Sequence, residues 1–84
     1  MITTINAEAI LAASVESTLS GLLLHLQNGQ EISIPWENCS NKLAKATTIQ
    51  RHHLELSPGG YGIHWPLLDE DLSVQGLVNQ FQQS

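Results

Sequence analysis

His64 is the residue of this chain best placed to do chemistry. It stands shortly before three consecutive acids, Asp69, Glu70 and Asp71. Histidine titrates near neutral pH, and a carboxylate beside it can orient the ring. Such a pair could serve as a general acid and base, or hold a metal ion. A group-transfer reaction would also need a nucleophile. Ser57, Ser73 and Cys39 are the candidates, and none stands in a recognised catalytic context or triad spacing. No catalytic residue is therefore assigned. A small enzyme, or a ligand- or metal-binding protein, built on His64 with Asp69, Glu70 and Asp71 stands as the alternative function.

The remaining candidates read more simply as structure. His52 and His53 are adjacent, and adjacent residues face different ways on a helix or strand. With His25 and His64 elsewhere, a metal site could form only by assembly in three dimensions, so no metal ligand is assigned. Gly59, Gly60 and Gly62 lack the Lys-Ser/Thr of a phosphate loop, and acids rather than a bare helix N-terminus follow them. They fit a hairpin turn with close backbone approach. In His64-Trp65-Pro66, Trp65 anchors the core, His64 points to the other face, and Pro66 ends the strand. Burying a Trp removes about 150–250 Å² from water, an upper-bound gain of roughly 4–6 kcal/mol. Trp65, Gly60, Gly62 and Pro66 are accordingly read as structural. Asp69, Glu70 and Asp71 cap a following helix in the plain reading. Three adjacent acids exceed what a cap requires, so they also suit an acidic lip recognised by a basic partner.

Short elements must position these residues. Residues 1–8 are polar and are expected to be loosely held. From Ile10 to Glu16, Leu11, Ala13 and Val15 alternate as on a strand with one buried face, although Ala7, Ala9, Ala12 and Ala13 also suit a helix. Glu16-Ser17-Thr18 is expected to turn. Leu22, Leu24 and Leu26 then alternate with Leu23 and His25, and Ile32, Ile34 and Trp36 alternate with Ser33 and Pro35. Asn28-Gly29 between them predicts a β-hairpin with a type I′ turn. Pro35 should end the second strand or lie on an edge. Ser40 or Asn41 can cap a short helix carrying Leu43 and Ala46 inward, and Thr47 with Gln50 has the form of a capping box. Two helical turns follow, about 41–46 and 48–53. Leu54 and Leu56 flank Glu55 on a short strand, and Tyr61, Ile63 and Trp65 form its partner after Pro58-Gly59-Gly60. Val74, Leu77, Val78 and Phe81 make one apolar helical stripe, started by Asp71 or Ser73.

The totals bound the function classes. Eighty-four residues make one domain, 1–84, with an ordered core at about 10–82. The composition, 42% hydrophobic and 13% charged, is that of a globular chain. Such a core supplies only roughly 3–5 kcal/mol, which leaves room for stabilisation by a partner or a second copy. Lys42, Lys45 and Arg51 face eight acids, for a net charge of −5. That balance argues against direct nucleic-acid binding and against anionic membranes, and favours a basic protein partner. The lone Cys39 suits a reducing compartment, Met1-Ile2-Thr3-Thr4 lacks a basic n-region, and no apolar run is long enough to span a bilayer. A cytoplasmic location is expected.

The second half of the chain carries a resemblance. Gly60-Tyr61-Gly62-Ile63-His64-Trp65-Pro66, then Leu68-Asp69-Glu70-Asp71, then Ser73-Val74-Gln75-Gly76-Leu77 resembles the signature of a family of small bacterial and phage proteins, domain of unknown function 2442. Leu43-Ala44-Lys45-Ala46-Thr47 and Arg51 match its middle segment, and Asn28-Gly29 corresponds to its usual Asp-Gly turn. The likeness covers roughly residues 10–78. Thr48 replaces a usual proline, Cys39-Ser40 an aromatic-proline pair, and Leu54 a usual tryptophan. The resemblance implies no established enzymatic activity, and no cofactor is expected for the chain. It suggests one half of a toxin–antitoxin-like pair; the helix-turn-helix module fused to some members does not fit in this chain.

These observations predict an α+β domain of small antiparallel hairpins, about four or five strands, with short middle helical turns and a C-terminal helix packed on the sheet. Its expected work is binding another protein, with a second copy of the chain as an alternative partner. Tyr61, His64, Asp69, Glu70 and Asp71 are the expected contact residues.

Overall fold

Two three-stranded antiparallel sheets make up the fold, in a computed structural model that describes residues 10–82. The first sheet has the order β1 (Ala12–Ser17), β2 (Gly21–Leu26), β3 (Glu31–Pro35). Three short helices follow: α1 (Trp36–Cys39), α2 (Asn41–Ala44) and α3 (Thr48–His52). The second sheet has the order β4 (Glu55–Leu56), β5 (Gly62–Trp65), β6 (Glu70–Ser73), and the chain ends in α4 (Val74–Gln82). The class is the α+β expected, with six strands rather than four or five. Residues 1–8, read as loosely held, lie outside the described residues.

The β2–β3 hairpin forms because its apolar residues repeat at the strand period of two. Leu22 pairs with Ile34 and Leu24 with Ile32, and all four side chains are buried. The turn between the strands departs from the type I′ expectation. Gly29 N–H donates to Leu26 O at 3.0 Å, and Gly29 has φ 95°. Among the described residues only Asp69 is a non-glycine with positive φ, so Asn28 does not take the conformation a type I′ turn needs. This is a three-residue loop with glycine in the left-handed position, and Asn28 steadies it by accepting from Gln30 N–H at 2.9 Å. Pro35 ends an edge strand, as its missing N–H requires.

β1 corrects the expected face. Its register with β2 shifts between Ala12 and Ser14, so that Ala12 is buried while Ala13 is exposed. A bulge of this kind re-phases the alternation for the rest of the strand. The strand also runs through Ser17, where a turn was expected; the turn sits instead at Thr18, whose N–H donates to Gly21 O.

The middle segment follows its capping chemistry. Ser40 Oγ accepts from Leu43 N–H at 3.1 Å, and Thr47 and Gln50 form the complete capping box. α1 was not anticipated. It has no capping side chain, and its two buried residues, Trp36 and Cys39, hold it to the core. Arg51 ties the segment together. Its Nε donates to Leu43 O at 2.9 Å and an Nη to Ala44 O at 3.0 Å, while its guanidinium lies 5.1 Å from the Trp36 ring centroid.

One cluster of buried residues spans both sheets, from Leu22 and Ile34 to Ile63, Trp65, Val74 and Val78. Trp65 is fully buried, and its Nε1–H donates to Arg51 O at 3.2 Å. The sheets also meet through backbone. Gly60, at φ 80°, lies so close to Ala12 that a Cβ there would sit 2.0 Å from Ala12 O. Val74, Leu77 and Val78 bury the inner stripe of α4, while Phe81 at its end is partly exposed. No helix among the described residues is long and apolar enough to cross a membrane.

Candidate functional site

β5 and β6 place His64 opposite Asp71, and β4 places Glu55 on the other flank of His64. The three side chains share the face of the second sheet that turns away from Ile63 and Trp65, because strand neighbours alternate. Nδ1 of His64 lies 2.7 Å from Oδ1 of Asp71, a hydrogen bond when Nδ1 carries the proton. Water reaches both partners: the side chains are 39% and 76% exposed. The pair is therefore a surface cross-strand pair of modest energy, worth roughly 0.2–1 kcal/mol.

The acids 69–71 do not act as one block. Asp69 sits in the β5–β6 turn at φ 51°, and Lys42 Nζ donates to the carbonyls of Leu68 and Asp69 at 3.3 and 3.4 Å. Glu70 stands opposite Trp65, on the other face from Asp71. The expectation that these acids cap the last helix is overturned, because residues 70–73 are a strand. Ser73 alone caps α4, accepting from Gly76 N–H at 3.0 Å. Tyr61 stands just before β5, 62% exposed, and its carbonyl accepts from Val74 N–H at 2.9 Å.

An open groove of about 320 Å³ lies beside His64. Glu55, His64 and Asp71 border it from this face, together with Pro58, whereas the side chains of Leu56, Ile63 and Leu72 alternate to the opposite face, where Ile63 is buried and Leu56 and Leu72 pack against the core. Gly62 and Ser57 complete it, with Gly62 N–H donating to Ser57 Oγ at 2.9 Å.

The candidate nucleophiles are engaged elsewhere. Ser57 and Ser73 accept the backbone bonds just described. Cys39 is buried, with its thiol pushed up to about 12 chiefly by desolvation; nearby Arg51 opposes that rise and Glu37 adds to it. At neutral pH it stays a thiol, 3.8 Å from Ile34 O. His52 and His53 are exposed on α3 and at its end. Among the described residues no group of three or more His, Cys, Asp or Glu is arranged to hold a metal ion.

Two arrangements escaped the sequence. Glu55 joins the His64 row only once β4 pairs with β5. On the first sheet, His25 Nε2 lies 2.7 Å from Glu16 and Nδ1 lies 3.2 Å from Glu31. The hairpin register could have revealed the second contact, since His25 stands directly opposite Glu31.

A family model, described as a protein of unknown function (DUF2442), matches residues 10–83. The chain belongs to the DUF2442 family. The match spans both sheets and the terminal helix, so the expected resemblance extends to nearly the whole described structure. Two solved structures share the fold. A crystal structure of a protein of unknown function from Rhodospirillum rubrum has a TM-score of 0.77 and 30% identity, covering 86% of this chain and 88% of the other. The solution structure of an uncharacterised protein from Chromobacterium violaceum has a TM-score of 0.70 and 26% identity, covering 88% and 69%. No curated protein matches the chain.

Proposed function

We propose that this DUF2442 protein is a protein-binding module whose contact surface is the β5–β6 hairpin. The observation that carries the reading is the open edge of β6: it pairs with β5 on one side and with no described strand on the other. The bond from Val74 N–H to Tyr61 O sets the phase of the ladder, so the N–H and C=O of Asp71 face outward from that edge. An unpaired edge invites a partner strand. Apolar anchors stand at both ends of the hairpin, Tyr61 before β5 and Leu67, 54% exposed, in the turn. Asp69, Glu70 and Asp71 add negative charge along it, which steers a basic partner. An antitoxin-like or regulatory half of a two-protein pair is the finer form of this proposal, and it rests on the family resemblance. A second copy of the chain would satisfy the same edge.

The rival reading, a small enzyme centred on His64, draws on the 2.7 Å contact with Asp71. It is weaker because Ser57, Ser73 and Cys39 are each committed to structural contacts, and because water reaches the pair. The test is co-purification from the native host, comparing the natural chain with a Glu70→Lys/Asp71→Lys variant. The binding reading expects a stoichiometric partner lost from the variant. Unchanged recovery of that partner would remove the hairpin from the interface.

A further inference from the structure

We infer that the open edge of β6 takes an extended strand from a basic partner protein, one apolar side chain of which sits in a socket between Leu72 and α4. This rests on the protein-binding reading and names how that partner docks and what it presents.

The edge supplies backbone. Ser57 N–H donates to Gly62 O at 2.8 Å on one flank of β5, and Val74 N–H donates to Tyr61 O at 2.9 Å on the other. Both bonds set the same ladder phase: Ile63 and Leu72 are the hydrogen-bonded pair, and the N–H and C=O of Asp71 and Ser73 point away from β5. A strand laid along β6 meets those groups. The edge also has a cavity beside it. A pocket of about 190 Å³ is lined by Cys39, Leu72, Ser73, Gly76, Leu77 and Gln80. None of these belongs to β4 or β5, so the pocket opens beyond the free side of β6. Leu72 turns to the same face as Ile63, and Cys39 and Leu77 are buried in the core cluster that holds Ile63. An added strand therefore points alternate side chains toward this socket. Its volume is below the roughly 300–1,000 Å³ of ligand pockets and above the about 150 Å³ that admits a benzene ring, which is room for one leucine- or valine-sized side chain.

Charge selects the occupant. The chain carries a net −5, and Glu70 and Asp71 bring two acids to this edge. A second copy would set the same acids against themselves, and like charges facing across a ladder are destabilising. A strand of opposite charge meets no such barrier. Asp71 and Leu72 turn to opposite faces of β6, so the fitting segment alternates as well. It carries lysine or arginine on the Asp71 side and an apolar residue on the Leu72 side, with main-chain bonds giving affinity and the socket giving specificity.

Nuclear magnetic resonance titration of the full chain tests this. The probe is a short capped peptide of alternating lysine and leucine, and the control has the same composition with its lysines and leucines in separate blocks. Saturable shifts from the alternating peptide are expected at the amides of Asp71, Ser73, Gly76 and Leu77, with a dissociation constant in the micromolar-to-millimolar range. The amides of Asp71 and Ser73 should also exchange more slowly with solvent. The block peptide, equal in charge, should bind roughly tenfold more weakly. Gly76→Leu should weaken the alternating peptide by a similar factor, roughly tenfold, because it fills the socket. A Cβ at Gly76 would have Ser73 Cβ and Oγ as its nearest contacts, both at an ordinary 3.5 Å, and the spectrum of the variant reports directly on its folding. Equal shifts from the two peptides, shifts from neither, or unchanged affinity on Gly76→Leu overturn the inference. The two proposals fail separately. A partner lost on Glu70→Lys/Asp71→Lys but retained by Gly76→Leu, with equal shifts from both peptides, leaves the binding module standing and removes the docked strand. Selective binding of the alternating peptide without any partner from the host leaves the edge and socket and removes the module.

Discussion

Replacing Gly60 by alanine should cost most of the stability of this protein, and the reason lies in the seam between its sheets. Gly60 has φ 80°, where an L side chain costs roughly 1–2 kcal/mol. Its added Cβ would also meet Ala12 O at 2.0 Å and Ala12 N at 2.9 Å. Both are backbone atoms, so relief requires moving β1 away from the 3₁₀ turn Pro58–Gly60. Ala12 is buried, and Gln27 Nε2 bonds both Ala12 O and Gly59 O across the same seam. Overpacking of this sort costs typically 1–3 kcal/mol more. The sum, about 2–5 kcal/mol, rivals the roughly 3–5 kcal/mol that a core of this size supplies. Gly29→Ala is the matched control. Gly29 has φ 95° but nothing within 4 Å of its added Cβ, so only the backbone cost of about 1–2 kcal/mol applies. Urea unfolding followed by tryptophan fluorescence reads both. Gly29→Ala should remain folded with a lowered midpoint, and Gly60→Ala should be unfolded or nearly so in buffer. Equal midpoints for the two variants would refute the close approach of Gly60 to Ala12, and with it the seam.

Two further outcomes follow from buried groups. Arg51→Lys should destabilise by about 2–3 kcal/mol, since one ammonium replaces two charge-assisted bonds to Leu43 O and Ala44 O and loses the planar contact with Trp36; a loss under about 0.5 kcal/mol in urea unfolding would show that the guanidinium is not a tie. Cys39 should make stability fall in alkali. Its thiol is raised by burial from 9.0 to about 12, so the unfolded chain releases that proton first. The stability attached to the buried thiol is complete below about pH 9 and drains away toward pH 12, reaching a loss of about 2 kcal/mol at pH 10.5. Cys39→Ala should lack that slope, and parallel unfolding curves for the two proteins between pH 8 and 10.5 would contradict the burial of the thiol.

The parts of the fold that could be read from residues alone are those where one local rule acts unopposed. The β2–β3 hairpin has apolar residues at period two on both strands, and Thr47 with Gln50 carries its own cap, so neither needed tertiary information. Where long-range pairing decides, the local signal misleads. The strand at 70–73 contains two acids, which are scarce in strands, and it leads into a helix, so the run looked like a helix start. Pairing with β5, through Ile63 opposite Leu72 and His64 opposite Asp71, turns it into a strand. The bulge at Ala13 is likewise invisible in a pattern of alanines, which suit either face and either element.

The same division explains what could be seen of the site. His64 was identifiable by type, but its neighbours depended on register. Three acids were candidates, and strand alternation admits one of them, Asp71, while sending Glu70 to the face of Trp65. Glu55, far from the acid run in sequence, enters because β4 lies on the other flank of β5. Arg51 was counted as one of three positive charges and as a match to the family's middle segment, yet its contacts are to carbonyls and an aromatic ring, which no charge pattern announces. That placement has a consequence for function. Arg51 and Lys42 both turn onto backbone carbonyls and not onto the acids beside His64. An arrangement needed for stability thus leaves the hairpin face negative, the property that a basic partner would recognise.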